Sequence, residues 1–183
     1  MLVDATGAPI AFNMIASMST RKSRPMVWAQ VFAGGIGGLV ARARPNIDPI
    51  PLMARWQIDR WCEDQGVEWV KPEDPERYAG QSADGTPMLA DDADVSVIAA
   101  HASRFVIDLL ARPDGSIFPV SAYVIGLSSE WLFDQPFDTR PIDLIPAGEW
   151  GETIEPLDAD ALVEILKAHL PPKEDADAVA VAD

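Results

Sequence analysis

The sequence predicts an α/β protein in which a mixed sheet is flanked by helices, and three observations carry that expectation. Residues 27–43 alternate apolar and other side chains on either side of a glycine cluster, the period-two pattern of two strands joined by a turn. Three other segments, near residues 9–19, 52–65 and 92–111, repeat apolar residues with the 3.6 period of amphipathic helices. Leu2 and Val3 ahead of Asp4 read as the end of a buried parallel strand. The resulting order of strand, helix, hairpin, helix, long loop, helix and hairpin fits a mixed sheet and not a complete doubly wound one.

Taken in order, the first helix runs from Pro9 to about Ser19, with Ile10, Met14, Ile15 and Met18 at helical spacing, and the polar run TRKSRP ends it. The stretch VWAQVFAGGIGGLVARARP, residues 27–45, looks like a phosphate-binding loop but lacks its parts. Such a loop needs a helix behind the glycines, whose N–H groups face the phosphate. Here Pro45 closes the segment LVARAR after two turns at most, and the third glycine position falls on Val40. The glycines therefore serve a turn between two strands, with Leu39, Ala41 and Ala43 inward and Arg42 and Arg44 on the exposed side.

Asn46–Pro51 is a proline-rich turn, and Leu52–Gln65 is a helix that stops at Gly66. Residues 67–90 read as a long loop. Asp91 or Asp92 caps a helix extending to about Ala111, with Val95, Ile98, Ala102, Phe105 and Leu109 in one apolar stripe. Residues 117–127 form a strand with 130–134 as its hairpin partner, and 136–144 is an extended arm. Asp158 caps a last helix, Ala159 to about His169, and residues 171–183 are a disordered acidic tail. The expected organisation is one domain over 1–145, a linker and helix over 146–170, and the tail.

Composition narrows the function. The chain has 183 residues, is 48% hydrophobic and contains six Trp, enough for a core. A net charge of −15 disfavours nucleic acid and anionic lipid as partners. No apolar run reaches the roughly 18 residues that cross a bilayer, and MLVDATG is unlike an export signal, so the expected location is the cytoplasm. The single cysteine, Cys62, excludes an internal disulfide and a cysteine-based zinc site.

Cys62 is also the only candidate thiolate nucleophile, although Glu63 and Asp64 raise its pKa and burial as a small apolar group is the plainer role. His101, Ser103 and Asp108 make a triad only if they converge in space. Trp56, Trp61 and Trp69 are either a binding platform or, for the first two, helix packing.

Three stretches together resemble a known family. LVDATG with the later Asn13 is similar to a strand end and following helix, RPMVWAQVFAGGIGGLVARARP to a glycine-bearing hairpin, and LADDADVSVIAAHASRFVIDLL to a late helix, all of the ThiF/MoeB/HesA superfamily. These are the ubiquitin-activating-type adenylyltransferases, and the resemblance covers residues 2–144 of this chain as their C-terminal portion. IFPVSAYVIGLSSEWLFDQPFDTRPIDL looks like the ending of bacterial ThiF-like proteins.

The resemblance implies a partial Rossmann-like mixed sheet, the C-terminal half of a ThiF-like fold. It implies ATP and magnesium as cofactors, with Asp4 near the metal and phosphates and Asn13 on the cofactor side. It places Cys62 where thioester-forming members carry their catalytic cysteine. The implied partners are a ubiquitin-like or sulfur-carrier protein and either an N-terminal ThiF-like half or a second copy.

The departures are equally specific. The family's ATP loop, ribose-binding acid and phosphate-contacting Arg and Lys fall ahead of Met1, Gly7 and Ala8 replace two polar residues, and PIPLM stands near the position of the zinc-binding CxxC motif. Without those cations the chain alone is not expected to stabilise adenylyl transfer. The expected function is an incomplete or split adenylyltransferase component that needs a partner for ATP; the alternative is a noncatalytic binding module of a ubiquitin-like conjugation system.

Overall fold

A computed structural model describes residues 1–66, 79–81, 85–113 and 115–151. Strand β1 (Leu2–Asp4) leads through helix α1 (Pro9–Arg21) to strand β2 (Met26–Val31), and a single 3₁₀ turn (Ala33–Gly35) connects β2 to β3 (Gly37–Ala43). Helix α2 (Pro51–Asp64), the short strands β4 (Ala79–Gln81) and β5 (Pro87–Leu89), helix α3 (Asp92–Ala111) and strands β6 (Ala122–Gly126) and β7 (Thr139–Ile142) follow. The main sheet has the order β1-β2-β3-β6-β7, with β1 parallel to β2 and every other neighbour antiparallel. The α/β class and the mixed sheet are as the sequence predicts.

Alternation along β2 and β3 sorts side chains between two helical layers. Met26, Trp28, Leu39, Ala41 and Ala43 meet Phe12 and Ala16 of α1 and Ala54, Ile58 and Cys62 of α2 on one face. Val27, Val40 and Ile125 meet Ile98, Ala102 and Phe105 of α3 on the other. Phe12 packs edge-on against Trp28 with ring centroids 5.5 Å apart. Proline at the first turn starts α1 and α2, where its missing N–H costs nothing. Helix α3 begins with a capping box in which Asp91 accepts from the Ala93 and Asp94 N–H groups and Asp94 accepts from the Asp91 N–H.

The GGIGG segment is a turn. Gly34 and Gly35 have φ of +69° and +68°, a region that side chains rarely adopt. A Cβ on Gly38 would come within 2.7 Å of the Gln30 carbonyl oxygen and of Ile98, so close sheet and helix packing also demands the small residue.

Arg42 departs from the sequence expectation. Strand β3 lies at the centre of the sheet with all seven residues buried, so neither of its faces is exposed. Arg42 is 0% exposed and reaches under α3. Its Nη1 donates to Asp108 Oδ2 at 2.8 Å and its Nη2 to the Phe118 carbonyl at 3.2 Å, and the guanidinium carbon lies 4.8 Å from the Phe105 ring centroid. Arg44 turns instead to Asp48, with Nε–Oδ2 at 2.7 Å and Nη2–Oδ1 at 3.1 Å, and its side chain is only 19% exposed.

The final hairpin also differs. Ile117 N–H and Ser116 Oγ donate to Asp108, and Phe118 N–H donates to Ser116 Oγ, so the backbone of 116–118 serves the buried ion pair and the strand starts only at Ala122. Its partner is β7, in the register Ala122↔Ile142, and not residues 130–134, which turn so that Phe133 packs into the core. Within 67–90, expected to be a loop, β4 and β5 pair antiparallel as a separate hairpin.

A compact unit spans Met1–Glu152. Gln57 exchanges two hydrogen bonds with the Ile145 backbone, and Trp150 Nε1 donates to the Asp48 carbonyl, which ties residues 145–150 to the domain. The helix expected at 159–169 and the tail at 171–183 lie outside the described residues.

Removing one member of the Arg42–Asp108 pair strands the other in the core. Arg42→Ala is expected to cost about 3–5 kcal/mol, read by urea denaturation, and Arg42→Met with Asp108→Leu to recover most of it. Burial opposes ionisation of Asp108, but hydrogen bonds from Ser116, the Ile117 N–H and Arg42 outweigh it and hold the carboxyl below the ordinary aspartate range. The stability this contributes is complete above the unfolded value near pH 4 and is lost as pH falls through the lower folded value. Asp108→Asn should flatten that acid limb in melts between pH 2 and pH 7.

Candidate functional site

Strand β1 and helix α1 carry Asp4 and Asn13, two of the three residues that the sequence resemblance singles out. Asp4 ends β1 and is 5% exposed. Its Oδ1 accepts from the Thr6 N–H at 2.9 Å and the Thr6 Oγ1 at 2.7 Å, and that hydroxyl in turn accepts from the Ala8 N–H at 3.1 Å. This is an aspartate-stabilised turn feeding Pro9 at the start of α1. Asn13 lies one turn further along, on the exposed side of the helix, and no hydrogen bond links it to Asp4.

A magnesium ion takes several oxygen ligands in near-octahedral order. Among the described residues no group of three or more His, Cys, Asp or Glu side chains is placed to hold a metal. Asp4 has one oxygen, Oδ2, that no described residue hydrogen-bonds. The described residues therefore do not by themselves compose a magnesium–triphosphate site.

Beside this turn the sheet is incomplete in two ways. Among the described residues strand β1 pairs only with β2 and stands at the end of the sheet. The Leu2 N–H bonds the Pro25 carbonyl at 2.8 Å, so by alternation along a parallel strand the Val3 N–H and carbonyl point outward. Helix α3 covers β2 and β3 but leaves the β1 side of its face open. The result is a cleft of about 450 Å³ walled by Val3, Ala29, Val31, Val95, Ala99 and Val106. Its floor is apolar, no charged side chain lines it, and the Ser103 hydroxyl on its rim is spent on the Ala99 carbonyl at 2.9 Å. Such a cleft can receive apolar groups, and its described polar lining is limited to Thr6, Gln30 and Ser103.

The remaining sequence candidates are placed apart. Cys62, on the core-facing side of α2, is 0% exposed, and burial together with the neighbouring Asp59 pushes its thiol up to about 12. His101 Nδ1 lies 2.8 Å from the Val97 carbonyl, while Asp108 is committed to Arg42, so His101, Ser103 and Asp108 do not form a triad. Trp61 packs against the core and Trp56 is 57% exposed, which separates the two. Trp69 lies outside the described residues.

Sequence reading missed the cleft wall on α3. A signal was present: beside the core stripe, Ala99 and Val106 stand seven residues apart and continue at helical spacing from Val95.

A buried thiol held as S–H should resist alkylation. Iodoacetamide at pH 8 is expected to modify Cys62 no faster than the core opens, with full labelling only in denaturant. Cys62→Ala should cost about 1–2 kcal/mol through the space it empties. Rapid labelling of the folded chain contradicts the packing role.

The chain matches no protein-family model, no curated protein and no solved structure.

Proposed function

We propose that this chain is the nucleotide-free, C-terminal part of a split ThiF-like adenylyltransferase, acting in the activation of a ubiquitin-like or sulfur-carrier protein. In this reading a complementary N-terminal ThiF-like half brings the ATP loop and the phosphate-binding cations and docks on β1. The observation that carries it is the sheet edge: a parallel strand that, among the described residues, is paired on one side only, flanked by an apolar cleft that an added layer would fill. Asp4 stands at the carboxyl end of that strand, where open α/β sheets bind ligands, and would offer its free oxygen to magnesium once the partner supplies the other ligands. ATP and magnesium supply the activation of the substrate carboxylate; this chain's own part is to complete the sheet and position Asp4.

The noncatalytic reading has its own support. Cys62 is buried and protonated, and Asp4 and Thr6 are tied into a turn, so the described residues present no assembled reaction centre. A binding module of a ubiquitin-like conjugation system would use the same edge without ATP.

ATP–pyrophosphate exchange separates the two. The chain alone should show none, and the chain mixed with a ThiF-like N-terminal half should show exchange that Asp4→Ala lowers by at least tenfold and Cys62→Ala leaves within about twofold. A stable complex without exchange supports the binding module, and neither complex nor exchange removes the split-enzyme reading.

A further inference from the structure

Helix α1 carries a second uncovered surface, on the opposite face of the sheet from the cleft. Phe12, Ala16, Ser19 and Thr20 face the core, which turns Ile10, Asn13, Met14, Met18 and Arg21 outward. Ile10 is 77%, Met14 68% and Met18 49% exposed. These three follow one another at four-residue spacing and form an apolar stripe about 12 Å long. Methionine-rich exposed helix faces are adaptable contact surfaces, because the unbranched thioether reshapes to its partner.

The stripe ends at three cations. Arg21, Lys22 and Arg24 are exposed, and none has a carboxylate partner among the described residues. Five other arginines, Arg42, Arg44, Arg55, Arg112 and Arg140, are ion-paired; Arg60 and Arg104 lack an ion pair among the described residues but each stands singly, Arg104 over the Phe118 ring, so Arg21, Lys22 and Arg24 are the described cations that cluster without one. The turn that displays them is fixed: Lys22 N–H donates to Met18, Ser23 N–H to Thr20 and Arg24 N–H to Ser19, while Ser19 Oγ returns a hydrogen bond to the Arg24 carbonyl. Preorganised, unpaired cations beside exposed apolar groups on a chain of net charge −15 define an acidic complement.

We propose that the outer face of α1 is a docking surface for an acidic amphipathic helix of a partner protein. Apolar residues of that helix, spaced three and four apart, cover Ile10, Met14 and Met18, and carboxylates beyond one end of its stripe pair with Arg21, Lys22 and Arg24. An anionic membrane is disfavoured because the net charge of the whole chain repels it once the small basic patch is passed. A second copy is disfavoured because α1 contains no acidic residue to answer its own cations across a two-fold axis.

The test uses the full chain and a fluorescein-labelled helical peptide with leucines at every third or fourth position and four glutamates at one end. Anisotropy should show saturable binding. At least tenfold weakening is expected for Met14→Asp, for combined Arg21→Glu, Lys22→Glu and Arg24→Glu, and for the peptide whose glutamates are replaced by lysines. Circular dichroism melts verify folding, and Met14→Gln serves if Met14→Asp lowers the melting temperature. Absence of binding, or equal binding of the lysine peptide, overturns the proposal. So does binding to phosphatidylserine vesicles without peptide binding, or a dimer in sedimentation that Met14→Asp abolishes. Each of these readouts is independent of ATP–pyrophosphate exchange.

Discussion

The interaction on which this structure depends is the buried pair of Arg42 and Asp108. One comes from the central strand and the other from the last turns of α3, 66 residues later. Burial and the neighbouring Arg44 pull the Arg42 pKa below its ordinary value, and the hydrogen bond that Arg42 donates to Asp108 opposes them. A guanidinium placed there is tolerated only if it is answered on every side. Asp108 answers it at Nη1, Phe118 at Nη2, Ser121 at Nε, and the rings of Phe105 and Phe118 lie beside it. Those partners set the angle of α3 on the sheet and decide where β6 begins. Ser121 also accepts from Arg44 and donates to Asp48, so the same network reaches the turn before α2.

Anchoring α3 over β2, β3 and β6 has a cost at the other end of the sheet. A helix fixed there cannot also cover β1, and the small side chains of Ala29 and Ala99 leave the intervening space open. The cleft follows from that placement, and it adjoins the outer edge of β1. The opposite face is covered more fully, since α1 is the crossover between β1 and β2 and α2 packs beside it. What α1 leaves outside is its own far side, a stripe of Ile and Met that ends in cations.

The parts of this fold that are legible in the sequence are those fixed by local periodicity. The β2–turn–β3 unit follows from alternation about GGIGG, and the three helices follow from 3.6-residue spacing with proline or aspartate at their starts. The misreadings all involve long-range partners. A single Arg within an alternating strand reads as solvent-facing, and nothing near Arg42 in sequence announces Asp108. Residues 139–142 read as an arm because Pro141 breaks a strand pattern, yet proline is accommodated on an edge strand such as β7. At the candidate site, Asp4 was legible as a strand-end carboxylate, but its hydrogen bonds to Thr6 and the cleft wall on α3 depend on packing that no local pattern encodes.

In the proposed function the outer edge of β1 receives a strand from a ThiF-like N-terminal half. Amide hydrogen exchange of the chain with and without that half tests it most directly. The Val3 N–H, which faces away from β2, is expected to gain protection in the complex together with the cleft-facing turns of α3, while the amides of β6 and β7 are unchanged. Unchanged exchange at Val3 in a mixture that forms a complex, or protection confined to another face, contradicts it.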